Sequence, residues 1–140
     1  MRAFRKRGDS VMLADINVEE AHRAANEDLP GSGAAIFCDL STSDGPRSAV
    51  EAAVDRFGQL DVVFGNAGVL ISAPLLAWTI DQWELTMAVN LRTPFLLAQA
   101  AVPHLMQSSN ASIIYTASTG AYRGHAGMPA YGASKQDSLT

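Results

Sequence analysis

Four short apolar runs, separated by stretches with helical periodicity, constrain this chain more than any other feature. Val11-Met12-Leu13-Ala14 ends at Asp15, and Ala34 to Cys38 is stopped by Asp39. Leu60 to Phe64, with Asp61-Val62-Val63-Phe64 as its core, runs into Gly65, and Ala111 to Thr116 is the last of the set. Apolar runs of this length read as strands buried on both faces. Strands that alternate with helices of about ten or more residues imply a parallel sheet covered on both sides. The expected class is α/β.

The connecting stretches carry their own punctuation. Arg2 to Arg7 reads as the tail of a helix closed by Gly8. Asn17 is a plausible N-cap for a helix whose apolar face is Ala21, Ala24, Ala25 and Leu29, broken by Pro30-Gly31-Ser32-Gly33. Val50, Ala53, Val54 and Phe57 share one face of the next helix, with Gly58 past its end. A long helical region is expected over 81–106, where Trp83, Met87, Leu91 and Phe95 recur at near-helical spacing. Pro94 must kink that region or start a new segment. A flexible stretch from Ser118 to Pro129 leads to a last helix beginning near Ala130.

At 140 residues, the chain is long enough for one domain with a real core and not for two. A formal net charge of −4 gives no footprint for a nucleic-acid partner. The basic cluster Arg2, Arg5, Lys6 and Arg7 precedes no apolar run of signal-peptide length, and no stretch approaches a membrane span. Cys38 is the single cysteine, so no disulfide framework exists, and a buried thiol is its expected role. Asn110-Ala111-Ser112 matches a glycosylation pattern but is read as a turn. His22 and His104 have no partners at metal spacing. The expected location is cytoplasmic.

The chemistry concentrates in Tyr131-Gly132-Ala133-Ser134-Lys135, with Ser118 upstream. Residues four apart on a helix lie on one face, so the Lys135 ammonium would sit by the Tyr131 phenol. A nearby cation favours a phenolate, and a phenol so tuned serves as a general acid or base. The hydroxyl of Ser118 would hold a carbonyl oxygen in place.

These motifs, in this order, resemble the short-chain dehydrogenase/reductase family along the whole chain. Gly65-Asn66-Ala67-Gly68 looks like the family's Asn-Asn-Ala-Gly turn. Asn90 in Val89-Asn90-Leu91 is similar to its helix asparagine. Ile113-Ile114-Tyr115-Thr116-Ala117-Ser118 resembles the strand that delivers its serine, and Tyr131 with Lys135 its Tyr-x-x-x-Lys pair. The resemblance implies an NAD(P)-dependent oxidoreductase of alcohols or ketones on a Rossmann-like, doubly wound parallel sheet. Residues 1–140 would form a partial dinucleotide-binding domain.

It also implies roles. Tyr131 would transfer the proton, Ser118 would orient the substrate oxygen, and Lys135 would hold the nicotinamide ribose. Asn90 would bend its helix and hold a water relaying protons to Lys135. Asp15 would accept hydrogen bonds from the adenosine ribose and repel a 2′-phosphate, which favours NAD over NADP. Asp39 and Leu40 would meet the adenine. Asn66, Ala67 and Gly68 would let the backbone pass close to the cofactor. Tyr122, His125 and Met128 would line the substrate pocket. The full-length form would be a homo-oligomer, associating through the region 90–106 and the last helix, with Leu96, Leu97, Ala100 and Ala101 supplying an apolar face.

The chain departs from the family pattern in three places. Gly65 stands where the family usually has its first asparagine. The opening strand and its Gly-rich phosphate-binding turn have no counterpart, nor has the family's substrate lid beyond the Tyr-Lys helix. The strands present would be numbers two to five in a sheet ordered 3-2-1-4-5, with the central first one missing. Its neighbours would either close on each other or leave the fold weak, and NAD would bind weakly if at all. The rival reading is a truncated, inactive remnant that acts only through subunit association.

Overall fold

The computed structural model describes residues 1–26, 31–124 and 126–136. The expectations for Leu29, Pro30 and His125 fall outside the described residues. The chain runs α1 (Arg2–Lys6), β1 (Val11–Asp15), α2 (Val18–Ala25), β2 (Gly33–Phe37), α3 (Gly45–Phe57), β3 (Val62–Gly65), α4 (Ile80–Met87), a π turn (Ala88–Arg92), α5 (Thr93–Leu105), β4 (Ser112–Tyr115) and α6 (Pro129–Gln136). Single 3₁₀ turns lie at Leu75–Ala77 and Thr119–Ala121.

Local chemistry accounts for the boundaries. The Asn17 side chain accepts the backbone N–H of Glu20 and opens α2. Thr79 and Gln82 form a reciprocal capping box at the start of α4. Gly58 closes α3 in the left-handed region at φ 78°. At the start of α3 a side chain on Gly45 would sit 2.1 Å from the Asp39 carbonyl, so that tight entry demands glycine.

The parallel sheet lies in two halves. β1 pairs with β2 from Val11↔Gly33 to Asp15↔Phe37, and β3 pairs with β4 from Val62↔Ser112 to Gly65↔Tyr115. Among the described residues β1 and β3 do not pair, so the sheet is incomplete and the two strands have not closed on each other. One helical layer spans both halves: α3 touches β1, α5 touches β3 and β4, and α3 packs on α5. Val50 of α3, Val63 of β3, and Leu97, Ala101 and Leu105 of α5 form the buried cluster that holds the halves in place.

One expectation about the long helix is corrected. Leu97 and Ala101 are buried in this cluster, so they give no face to a partner. Of the residues at near-helical spacing, Trp83 and Phe95 are exposed. The π turn adds a residue to the helical repeat, and the buried face of α5 instead runs through Thr93, Leu97, Ala101 and Leu105.

Candidate active site

The π turn is the hub on which the loops after β2 and β3 and the helix α6 converge. Its origin lies in Pro94, which has no N–H to give the Asn90 carbonyl four residues earlier, so regular α pairing fails there. Thr93 compensates: its backbone N–H and its hydroxyl both donate to the Ala88 carbonyl, the hydroxyl at 3.0 Å. The single hydroxyl proton is shared between the Ala88 carbonyl and that of Leu40, and the Arg92 guanidinium donates to that of Ser41. The loop that follows β2 is thereby tied to the turn.

Asn90 ties in the loop after β3. Its Oδ1 accepts the Val69 N–H at 2.8 Å, and its Nδ2 donates to the Val69 carbonyl at 2.9 Å. The second Nδ2 proton goes to Ser134 Oγ at 3.2 Å. Asn90 is 1% exposed, and both protons of its amide are committed. Ser134, fully buried in α6, donates in turn to the Tyr131 carbonyl at 2.9 Å. One chain of bonds therefore runs from the Asn66–Gly68 turn through Asn90 to the helix of Tyr131 and Lys135.

Lys135 turns back toward the end of β4. Its Nζ donates to the Thr116 carbonyl at 2.9 Å, two residues before Ser118, and lies 5.9 Å from the centroid of the Tyr131 ring. It is 7% exposed, whereas Tyr131 is half-buried. An ammonium carries three donors, so two remain for a ligand. The Thr116 hydroxyl donates to Asn66 Oδ1 at 2.8 Å and joins the turn after β3 to that after β4. Ser118 Oγ accepts the Gly120 N–H at 3.1 Å, which leaves its own proton to donate.

The carboxylates lie at the ends of the other half-sheet. Asp15 is exposed, and its Oδ1 accepts the Asn17 N–H at 2.8 Å. The Asp15 carbonyl accepts the Cys38 N–H at 3.0 Å, which sets Asp15 beside the segment leading into Asp39. Asp39 Oδ1 accepts from the Ser41 hydroxyl at 2.7 Å and from its N–H at 2.9 Å; these bonds, the hydroxyl's first, hold its carboxyl below the ordinary value. Asn66, Ala67 and Gly68 are exposed just past β3.

Small residues, carboxylates and spare donors at the carboxyl ends of parallel strands fit a dinucleotide, which binds outside those ends. The Asn66–Gly68 turn presents little side-chain bulk, and Lys135 and Ser118 keep protons to donate. Of the expected pocket residues, Tyr122 is exposed and Met128 half-buried. Sequence reasoning passed over Ser134, Thr116, Thr93 and Tyr115, all tied into this network. Ser134 alone left a signal, as a small polar residue one turn after Tyr131. Among the described residues no three ligating side chains gather around a possible metal position, and no helix is long and apolar enough to cross a membrane.

A family model described as short chain dehydrogenase matches residues 1–137. The chain is 37% identical to 1-deoxy-11-beta-hydroxypentalenate dehydrogenase of Streptomyces arenae, over 97% of this chain and 50% of that protein. It is 30% identical to a 3-oxoacyl-[acyl-carrier-protein] reductase of Thermotoga maritima, over 94% of this chain and 54% of that protein. It spans about half the length of the curated relatives it matches. A short chain dehydrogenase from Burkholderia cenocepacia, solved in complex with NADP, superposes with a TM-score of 0.89 at 32% identity, over 98% of this chain and 58% of that one. A metagenomic short-chain oxidoreductase, also with NADP, gives 0.83 at 29% identity, over 97% and 65%. With the family model matched over residues 1–137 and a solved short chain dehydrogenase superposed on 98% of it, the chain belongs to the short-chain dehydrogenase family of oxidoreductases.

Proposed function

We propose that the protein oxidises an alcohol or reduces a ketone with a nicotinamide dinucleotide, using Tyr131, Ser118, Lys135 and Asn90. The observation that carries this reading is the placement of Lys135. Its buried ammonium lies 5.9 Å from the Tyr131 ring and is held by the strand end that leads to Ser118. When bound, the dinucleotide supplies or takes up the hydride.

The residues of the chain do the rest. Ser118, its oxygen already accepting the Gly120 N–H, donates its proton to the substrate oxygen and orients it. Tyr131 gives that oxygen a proton in reduction and takes one in oxidation. The two spare donors of the Lys135 ammonium suit the ribose hydroxyls. Asn90 and Ser134 fix the Tyr131 helix against the loop after β3, which would face the dinucleotide. Because both amide protons of Asn90 are spent, a relay water toward Lys135 would meet its backbone carbonyl, left without an N–H by Pro94.

NAD is the favoured form on the strength of Asp15, whose carboxylate would repel a 2′-phosphate. The two solved relatives named above hold NADP, so the choice rests on this side chain alone. The other partners are a small alcohol or ketone and, through the exposed face at Trp83 and Phe95, a second copy of the chain.

The test is reduction of NAD by a panel of secondary alcohols at millimolar dinucleotide, read by absorbance of the reduced nicotinamide. Turnover by the wild type and its loss in Lys135→Met support the reading. Equal turnover in both proteins defeats it.

A further inference from the structure

A side chain on Gly65 would sit 2.6 Å from Tyr115 Cδ1 and 2.8 Å from Cε1, so the tyrosine ring fills the space beside Gly65. The ring is not free to swing away. Its hydroxyl donates to the Pro94 carbonyl at 2.7 Å, and burial pushes that phenol above its ordinary value. Gly65 and Tyr115 are also direct partners in the β3–β4 ladder. At the other end of the Asn66–Gly68 turn, Val69 is held by both polar atoms of Asn90. Asn90 and Pro94 belong to one short segment, the π turn and its exit. The contacts close a circuit: Gly65 to Tyr115, Tyr115 to Pro94, Pro94 along the backbone to Asn90, and Asn90 to Val69.

We propose that Tyr115 is a positioning residue that, paired with Gly65, clamps the upstream end of the Asn66–Gly68 turn to the segment by which Asn90 clamps its downstream end. Glycine at position 65 is what leaves room for the ring. The tyrosine ring takes the volume of the missing side chain, and its hydroxyl supplies a fixed anchor. The turn is held at two points against one rigid element, and its spacing from the π turn depends on both.

The experiment is amide hydrogen exchange on the full chain, read at Val69, whose N–H donates to Asn90. Tyr115→Phe keeps the ring and removes the anchor. The expected result is exchange at Val69 faster by about fivefold, the equivalent of one hydrogen bond, with the unfolding midpoint moved by only a few degrees. Gly65→Ala attacks the clamp from the other side and should accelerate the same amide. In a Tyr115→Leu background, where no tethered ring remains to collide, Gly65→Ala should add little. Unchanged exchange at Val69 in both Tyr115→Phe and Gly65→Ala overturns the proposal, and so do fully additive effects of Gly65→Ala and Tyr115→Leu. A second readout, fluorescence titration with NADH, should show weaker binding by Tyr115→Phe. That arm rests on the function proposed above. Absent NADH binding by the wild type would count against that function, while the exchange result decides the clamp on its own.

Discussion

Asn90 and Val69 are joined by two hydrogen bonds, Oδ1 accepting at 2.8 Å and Nδ2 donating at 2.9 Å, between a side chain on the π turn and the backbone of the loop after β3. Because Asn90 also donates to Ser134, this one side chain links the loop after β3 to the helix of Tyr131 and Lys135. Replacing it by alanine would strand the polar groups of Val69 and Ser134. A buried group left without a partner costs about 1–3 kcal/mol. Asn90→Ala should therefore lower the urea midpoint by an amount equivalent to about 2–4 kcal/mol. Asn90→Asp, which keeps an acceptor for Val69 N–H but loses both donors, should be destabilised as well. A midpoint within error of wild type for Asn90→Ala would mean that the linkage carries no stability.

The proposed preference for NAD rests on Asp15. Its carboxylate is exposed, and its Oδ1 accepts the Asn17 N–H. Asp15→Ser keeps a short polar cap for that N–H and removes the charge. The ratio of kcat/KM for NAD to that for NADP should fall by about tenfold, from the roughly 1.4 kcal/mol of repulsion relieved. An unchanged ratio would remove Asp15 from cofactor selection.

Cys38 is 4% exposed and donates its thiol proton to the Gly45 carbonyl at 3.1 Å. Burial, aided by the neighbouring Asp39 charge, pushes its pKa up. A raised folded-state value means the thiol contributes stability that is complete below the unfolded pKa of about 8.5 and is lost as pH rises through the folded value. Stability should therefore decline at alkaline pH in the wild type and less so in Cys38→Ala, compared at matched pH by urea unfolding. Iodoacetamide should label the native thiol far more slowly than the unfolded one. Fast native labelling would show that the thiol is not enclosed.

Most of the scaffold was legible because local rules and global fold agree. The four strands fell within one or two residues of their apolar runs, and Asn17 and Gly58 stood at helix ends where their chemistry puts them. The long helix was read less well. The stripe at Trp83, Met87, Leu91 and Phe95 gave the helical period, but the buried face through Thr93, Leu97, Ala101 and Leu105 follows a π turn that leaves no periodic mark. Pro94 was the visible sign of that break. The supporting residues were hidden for another reason. Ser134, Thr116 and Tyr115 are hydrogen-bonded to residues 19 to 50 positions away, and single-sequence patterns carry no information about such pairs. Gly65 shows the limit plainly: the sequence marks it as a departure, and only the Tyr115 ring explains it.

The central claim is that Tyr131 moves the proton while the rest of the site binds and orients. The direct measurement is the rate of dinucleotide reduction by a secondary alcohol in wild type and Tyr131→Phe, with NADH affinity measured on the same samples. The account predicts a fall in kcat of about 10²–10⁴-fold with affinity changed by less than about threefold. A Tyr131→Phe variant that turns over at the wild-type rate would contradict it.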